Sequence, residues 1–509
     1  MNHIQANGIT GYMKENGGRA IVLFLLFLLA IYELLTSGLN NFAIVCALPL
    51  IALAVYIGFK YKMFIFWFLF VFNYFVMFFS KMGYLNIQAS LPNELMELLL
   101  IFIAIIDYSD FKGKNLNNLM LLALVIWVGF CTLEVLNDTC DIGININAWY
   151  KGARLMAFQL LYAFIVCSLY INSPKRLKQF LYAWAILSFF AVYWAWKQKT
   201  FGFNAAENNW LYAQGHIRQH FVNGIMRYFS VFNDAAVFGC HMAAASVAFY
   251  IISITSKLKR DKIFFLISGV ACTWAMFTSG TRTAIFCMIV GFILYIFLSK
   301  SVKIAVPVTI IFGLFICMLA FTKIGQGNNQ IRRMRTAFDK NDASASVRDV
   351  NKESMKKYVR DAPWGMGIGL FTNDIPAFNK YKILSETPPD SEYVFIWVHT
   401  GVIGITVFII TTILMLFGAC WVVLFRIKNR SLCGIGAAFC CAFVSIHLGG
   451  YGNQILMQFP NVIIFYGGLS LVYILPLIEK DYQALENNQL KLQAERKEAK
   501  LKKKRESRV

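Results

Sequence analysis

The chain has 509 residues, 58% hydrophobic and 15% charged, with a formal net charge of +21. A water-soluble globular protein of that length could not hide so much apolar surface, so the composition excludes that class and points to an integral membrane protein. Alternating ten-residue segments, the mark of an outer-membrane barrel, are absent, and the expected fold class is all-α and polytopic.

The first apolar run, 20–36, follows Lys14 and Arg19. It starts like a signal peptide but lacks a small-x-small cleavage site and contains Glu33, so it reads as a retained first helix. Runs of spanning length then recur near 42–58, 63–80, 94–108, 117–135, 153–171, 180–196, 234–254, 263–279, 282–299, 303–321, 391–417, 431–448 and 459–477. A helix needs about 20 apolar residues to cross a bilayer, and these runs give 12–14 spans, the fourth and ninth being short. The implied organisation is a terminus at 1–19, spans at 20–196, a loop at 197–232, spans at 233–321, a larger loop at 322–390, spans at 391–478 and a basic tail at 479–509.

Short basic connectors alternate along the chain: Lys60/Lys62, Lys112/Lys114, Lys175/Arg176/Lys178, Lys257/Lys259/Arg260/Lys262, Lys300/Lys303 and Arg426/Lys428/Arg430. The positive-inside rule assigns these loops to the cytoplasm. Both termini then fall inside, and the two long loops fall outside. The tail reads as a solvated helix beside anionic headgroups.

Most of the twelve cysteines lie in apolar runs, among them Cys167, Cys240, Cys287, Cys440 and Cys441. Cys140 lies in a loop without an evident loop partner, so free thiols are expected. No Cys/His cluster has the spacing of a metal site, and no phosphate-binding glycine loop follows a strand.

The outward loops carry an unusual number of cations. Arg218, Arg227, His216 and His220 lie in the first loop, Arg332, Arg333, Arg335, Arg348 and Arg360 in the second, and Arg154 opens the sixth span. Arg282 heads the span 282–299 directly after Ser279-Gly280-Thr281. Such a cluster suits an anion, and the planar guanidinium fork suits phosphate. Two readings of Arg282 are open, snorkelling to headgroups or ligand contact, and the tight turn before it favours the second. Arg332 to Arg335 fit a lipid-touching basic face equally well. His216 and His220, four apart, share a helix face; without a third ligand they suit phosphate or sugar better than metal.

Two further stretches stand out. A helix opened by Arg348 ends at Asp361-Ala362-Pro363, and Gly365-Met366-Gly367-Ile368-Gly369 follows, where backbone can approach closely. In "TPPDSEYVFIWVHTGVIGI", Asp390 and Glu392 head a long span. They serve as a general base or arginine partner, or as an N-cap. His399, two turns on, reads as a buried structural histidine.

Taken in order, "YFSVFNDAAVFGCHMA", "TSGTRTAIF", "SVRDV…APWGMGIGLF" and "DSEYVFIWVHTGVIGI" resemble motifs of the O-antigen polymerase and O-antigen ligase superfamily, over about residues 225–475. The resemblance implies a membrane glycosyltransferase (GT-C-like) fold. It implies metal-independent transfer of a glycan from a polyprenyl diphosphate at the outer face of the bacterial cytoplasmic membrane. Arg282 and Arg348 match the family's arginines, with Arg227 and Arg218 as further diphosphate ligands. His216, His220, Arg154 and Arg335 are the other expected substrate contacts, and Asp390 or Glu392 is the candidate catalytic base. Expected partners are lipid-linked donor and acceptor glycans, membrane lipids and a chain-length regulator; no cofactor and no nucleic acid are expected.

Ligases of the family usually place a histidine, followed by Asn, about eleven residues before the Gly-x-x-Gly. Counted back from Gly401, that position here is Asp390, which favours a polymerase over a ligase. A transporter of lipid-linked glycan is the reading from another class. It predicts paired repeats and charges near the midplane, whereas the notable charges here lie in loops and at helix heads.

Overall fold

The computed structural model describes residues 56–83, 90–107, 113–222, 224–300, 329–335 and 343–506, with isolated positions between 18 and 53 and between 306 and 327. The expected spans at 42–58 and 303–321 lie largely outside the described residues, and that at 20–36 lies partly outside them. Residues 1–66 and 67–509 form two compact units, and the second holds nearly all of the described helices.

Eleven expected spans fall on helices. They are α1 (Lys62–Lys81), α2 (Ser90–Ile106), α3 (Leu119–Leu133), α4 (Ile146–Tyr170), α5 (Pro174–Phe201), α6 (Ala235–Thr255), α7 (Lys259–Thr278) and α8 (Arg282–Leu298). After two helices of the second long loop, α9 (Asn329–Arg335) and α10 (Ala343–Arg360), come α11 (Glu392–Arg426), α12 (Arg430–Gly452) and α13 (Gly467–Glu506). Among the described residues nine helices are long and apolar enough to cross a membrane, and α8 is a shorter apolar helix of 17 residues. The chain is an all-α, multi-pass membrane protein. A two-residue hairpin, β1 (Phe221–Val222) against β2 (Ile225–Met226), is the one strand pair among the described residues.

The helix starts follow from local chemistry. Asp234 caps α6, accepting from the Ala236 and Val237 amides at 2.6 and 2.9 Å. Asn118, Ser173 and Asn429 cap α3, α5 and α12 in the same way, and Pro174 stands at the first position of α5.

Burial separates centre from periphery. The most apolar window of α6 is 89% buried and that of α12 83%, against 33% for α1 and α11. The reason is size. The α6 run Ala-Ala-Val-Phe-Gly-Cys-His-Met-Ala-Ala-Ala-Ser is dominated by small side chains, which let neighbouring helices approach closely. One polar bracket crosses this centre: the Trp184 indole donates toward His241 Nε2 at 3.3 Å, and His241 Nδ1 meets Asn461 Oδ1 at 2.7 Å.

Basic connectors that the charge pattern groups together do meet at one end of the bundle. Lys178 pairs with Asp261 at 3.4 Å, and Lys257 with Glu486 at 3.1 Å. Glu486 also accepts from the Asn429 amide at 3.0 Å. The tail expected to be solvated is therefore packed at its start. Glu486 is buried, and Gln489 accepts from Lys178 at 2.6 Å, because the α13 helix continues into the tail without a break.

Candidate functional site

The opposite end is built by the two long loops, each with a small core of its own. In the first, Trp210, Leu211, Phe229 and Ala235 pack together. In the second, Met355, Val359, Ala362, Met366, Leu370, Ile375, Tyr381 and Leu384 pack with Val398 of α11 and with Cys140 and Ala148. The α3–α4 connector is thus a third part of the cap, tied in by Asn137 Nδ2, which donates to the Trp364 carbonyl at 2.8 Å.

The glycine-rich turn sets the height of this cap. The Met366 and Gly367 amides donate to the Val398 and His399 carbonyls at 2.9 and 3.0 Å. Those carbonyls are free because α11 is broken at Gly401, which has φ 66° and ψ −166°. Gly369 has φ +78°, and a Cβ there would fall 2.0 Å from the Ala148 carbonyl oxygen, so only glycine fits. His399 is buried and bonds the Gly367 carbonyl through Nδ1 at 2.9 Å, closing the same junction.

A cavity of about 600 Å³ opens beside this junction. Its walls come from the first turn of α8 (Thr283, Phe286), α10 (Asn351, Lys352, Met355), the head of α11 (Asp390 to Trp397) and the end of α12 (Leu448, Tyr451, Gly452). That volume suits a small-molecule or sugar-sized ligand, and apolar side chains share its wall with a few polar groups. Asp390 lies in the wall and accepts from Asn351 Nδ2 at 3.0 Å. The N-cap of α11 is Ser391, whose hydroxyl accepts from the Val394 amide at 3.4 Å. Asp390 is therefore spared for the cavity.

Glu392 is placed otherwise. It is 3% exposed, and its Oε2 accepts from the Leu456 amide at 2.9 Å. Buried on the loop that joins α12 to α13, it is not among the residues that line this cavity, whereas Asp390 is. The start of the helix lies between them: Asp390 precedes the N-cap Ser391, whereas Glu392 is the first helical residue.

Arg282 begins α8 and is half-buried, next to the cavity residue Thr283. The turn before it is held by two other arginines. Arg227 Nη2 donates to Thr281 Oγ1 at 3.0 Å, and Arg333 Nε donates to the Gly280 carbonyl at 3.0 Å. Arg333 also reaches the Val222 carbonyl at 3.0 Å, tying the hairpin to the turn. Of the Arg332–Arg335 run, expected as a whole to be ambiguous, Arg333 is the member at the turn. Arg335 instead donates to the Met318 and Ile324 carbonyls.

The α10 backbone places Arg348 one turn before Asn351 and Lys352; its side chain lies outside the described residues. Arg218 is exposed on the first loop. His216 stacks on Trp210 at 4.2 Å, and His220 meets the edges of Trp210 and Phe229 at 5.2 and 4.9 Å. Each Nδ1 bonds a backbone carbonyl, of Trp210 at 2.9 Å and of His216 at 3.2 Å. The pair packs the first loop's core, and burial, aided by Lys81, lowers the His220 pKa to about 3. Arg154 is buried in an ion pair with Glu94 at 3.2 Å and donates to Ser90 Oγ at 2.8 Å. These contacts tie α2 to α4. Among the described residues no three His, Cys, Asp or Glu side chains gather as a metal site would need.

Residues 264–409 match the family model described as O-antigen ligase. Over that stretch the chain is similar to the O-antigen polymerase and ligase superfamily. The match runs from α7 into α11. It takes in Arg282, Arg348, the glycine-rich turn and Asp390, and leaves out Arg154, the two loop histidines, Arg218 and Arg227. It does not separate polymerase from ligase. No curated protein matches the chain.

The cavity residues missed in the sequence are Thr283, Asn351, Lys352, Tyr393 and Tyr451. A signal existed for two of them, since Asn351 and Lys352 lie three and four positions after Arg348 and share its helix face.

Proposed function

We propose that this protein polymerises polyprenyl-diphosphate-linked oligosaccharide repeats into a surface polysaccharide, at the outer face of the bacterial cytoplasmic membrane. The observation that carries the reading is convergence. Three stretches far apart in sequence, headed by Arg282, Arg348 and Asp390, contribute to one cavity or its immediate rim. The basic connectors that the positive-inside rule assigns to the cytoplasm gather at the other end of the bundle, which supports a cavity facing outward with both termini inside.

In this reading Arg282 and Arg348 grip the donor's diphosphate, while Arg227 and Arg333 hold the turn that aims Arg282. An acceptor hydroxyl attacks the anomeric carbon, and its proton passes to the Asp390 carboxylate, oriented by Asn351. The bond from the anomeric carbon to the diphosphate oxygen breaks, and the arginines stabilise the charge that develops there. Cationic side chains take the part a metal ion plays elsewhere, so the transfer proceeds without one. The apolar lining residues Phe286, Met355, Val394 and Trp397 suit the first isoprene units of the carrier. A chain-length regulator is a further partner of this reading.

A second reading is a ligase that moves finished glycan from the carrier to a lipid core or protein. The family match is shared by both readings; Asp390, at the position where ligases place histidine, favours the polymerase. Gel analysis of surface and carrier-linked glycans from a strain lacking the gene decides. Core capped with a single repeat and no ladder supports polymerisation. Long chains that remain on the carrier support ligation. Unaltered surface and carrier glycans reject both.

A further inference from the structure

A second cavity, of about 470 Å³, lies at the opposite ends of α8 and α12 from the first. It forms where the last turn of α8 (Tyr295, Leu298, Lys300), the end of α6 (Thr255) and the start of α12 meet. Three cations line it, Lys300, Lys428 and Arg430, all exposed. None of the three side chains makes an ion pair among the described residues. The Glu479 carboxylate does reach this region, but it accepts from the backbone amides of Lys428 and Asn429 at 2.8 and 2.5 Å. It thereby answers the amide end of α12 and leaves the three side-chain charges unanswered.

An independent observation lies in the wall. Tyr295 is 1% exposed, and its hydroxyl has no hydrogen-bond partner among the described residues. A buried O–H without an acceptor is costly, and most such groups in folded proteins have one. The Thr255 hydroxyl, by contrast, is satisfied by the Ile251 carbonyl at 2.8 Å. A ligand that offers acceptor oxygens to Tyr295 and negative charge to three cations answers both needs.

We propose that this cavity binds the phosphate headgroup of an anionic membrane lipid, held by Lys300, Lys428 and Arg430, with the Tyr295 hydroxyl donating to a phosphate oxygen. The chemistry alone is shared with free inorganic phosphate. The cavity lies where the apolar helix α8 ends and the membrane-spanning helix α12 begins, at the level of the headgroups, and that place selects an anionic lipid over a free anion. Basic pockets between membrane helices near the surface are suited to such headgroups. The proposal is independent of which glycan transfer the other cavity performs.

The test uses the full-length protein purified in a non-ionic detergent, with its melting midpoint followed on adding phosphatidylglycerol, phosphatidylcholine or inorganic phosphate. Phosphatidylglycerol is expected to raise the midpoint by several degrees, and the other two to leave it nearly unchanged. The triple variant K300Q/K428Q/R430Q should lose most of that shift. Tyr295→Phe should lose part of it, while its midpoint without lipid stays level or rises, since an orphaned hydroxyl is gone. Should the triple variant fail to fold, Arg430→Gln and Tyr295→Phe carry the comparison. An undiminished phosphatidylglycerol shift in the variants overturns the site. An equal shift with phosphatidylcholine overturns recognition of charge. An equal shift with inorganic phosphate overturns the lipid assignment in favour of a free anion.

Discussion

Arg227 donates to the Thr281 hydroxyl at 3.0 Å, and that hydroxyl donates onward to the Ala235 carbonyl at 2.8 Å. The contact joins the first long loop to the turn that precedes Arg282, so Arg227 acts on the head of α8 through Thr281. Arg227→Gln and Thr281→Val should each lower glycan transfer several-fold. Because one contact is lost in both, the double variant should be little worse than the poorer single, the behaviour of coupled neighbours. Fully additive losses in a reconstituted assay would mean that Arg227 meets the substrate by itself.

Arg282→Ala should abolish product while the protein stays in the membrane at normal abundance. Arg282→Lys should recover only part of the activity, since an ammonium keeps the charge and loses the two-pronged fork. Immunoblots of membranes beside glycan gels check both; normal ladders from Arg282→Ala would remove the diphosphate role.

Asp390 and Glu392 should separate. Asp390→Asn keeps the bond position to Asn351 and removes the base, so turnover should fall by about 10²–10⁴-fold with the melting midpoint little changed. Glu392→Gln weakens a charged acceptor on the Leu456 amide, and should destabilise the protein by about 1–3 kcal/mol. Turnover and thermal midpoint measured on the same preparations distinguish these outcomes. An intact rate in Asp390→Asn rules out carboxylate catalysis.

Arg154→Ala leaves Glu94 buried without its ion-pair partner. Breaking one side of a buried pair costs about 3–5 kcal/mol, so loss of folded protein is expected. The double variant R154M/E94L should recover much of it. Thermal midpoints of the single and double variants check this; a fully stable Arg154→Ala would mean that the tie is dispensable.

His220 gives the first loop a pH dependence. Its pKa is lowered to about 3 by burial, while an unfolded chain takes up that proton near the ordinary value of about 6.5. The neutral imidazole therefore contributes its stability in full above about pH 6.5, and that contribution is lost as the pH falls toward 3. His220→Phe should flatten the acid side of the stability curve. Midpoints measured from pH 7 down to pH 4 for both proteins decide it, and parallel curves would contradict the assignment.

Much of the architecture is legible without coordinates because lipid leaves a backbone little choice. Apolar runs of spanning length must be helical where no water is present to bond the peptide groups, and eleven expected spans do fall on helices. Asp390 and Glu392 both read as candidates for the base, yet Asp390, before the N-cap, lines the cavity, while Glu392, the first helical residue, meets the Leu456 amide. His216 and His220 read as open to ligand because nothing local announces Trp210 and Phe229 as their packing partners.

What the sequence determined by itself is therefore the membrane class, the helices and the arginine at the head of α8, since these depend on residues close together in the chain. What only the tertiary structure decided is which charges are already spent. Arg154 is answered by Glu94, sixty residues away, and Arg333 by the Gly280 carbonyl, fifty-three residues away. A side chain's availability for a ligand depends on its neighbours in space, and packing between distant helices sets those neighbours.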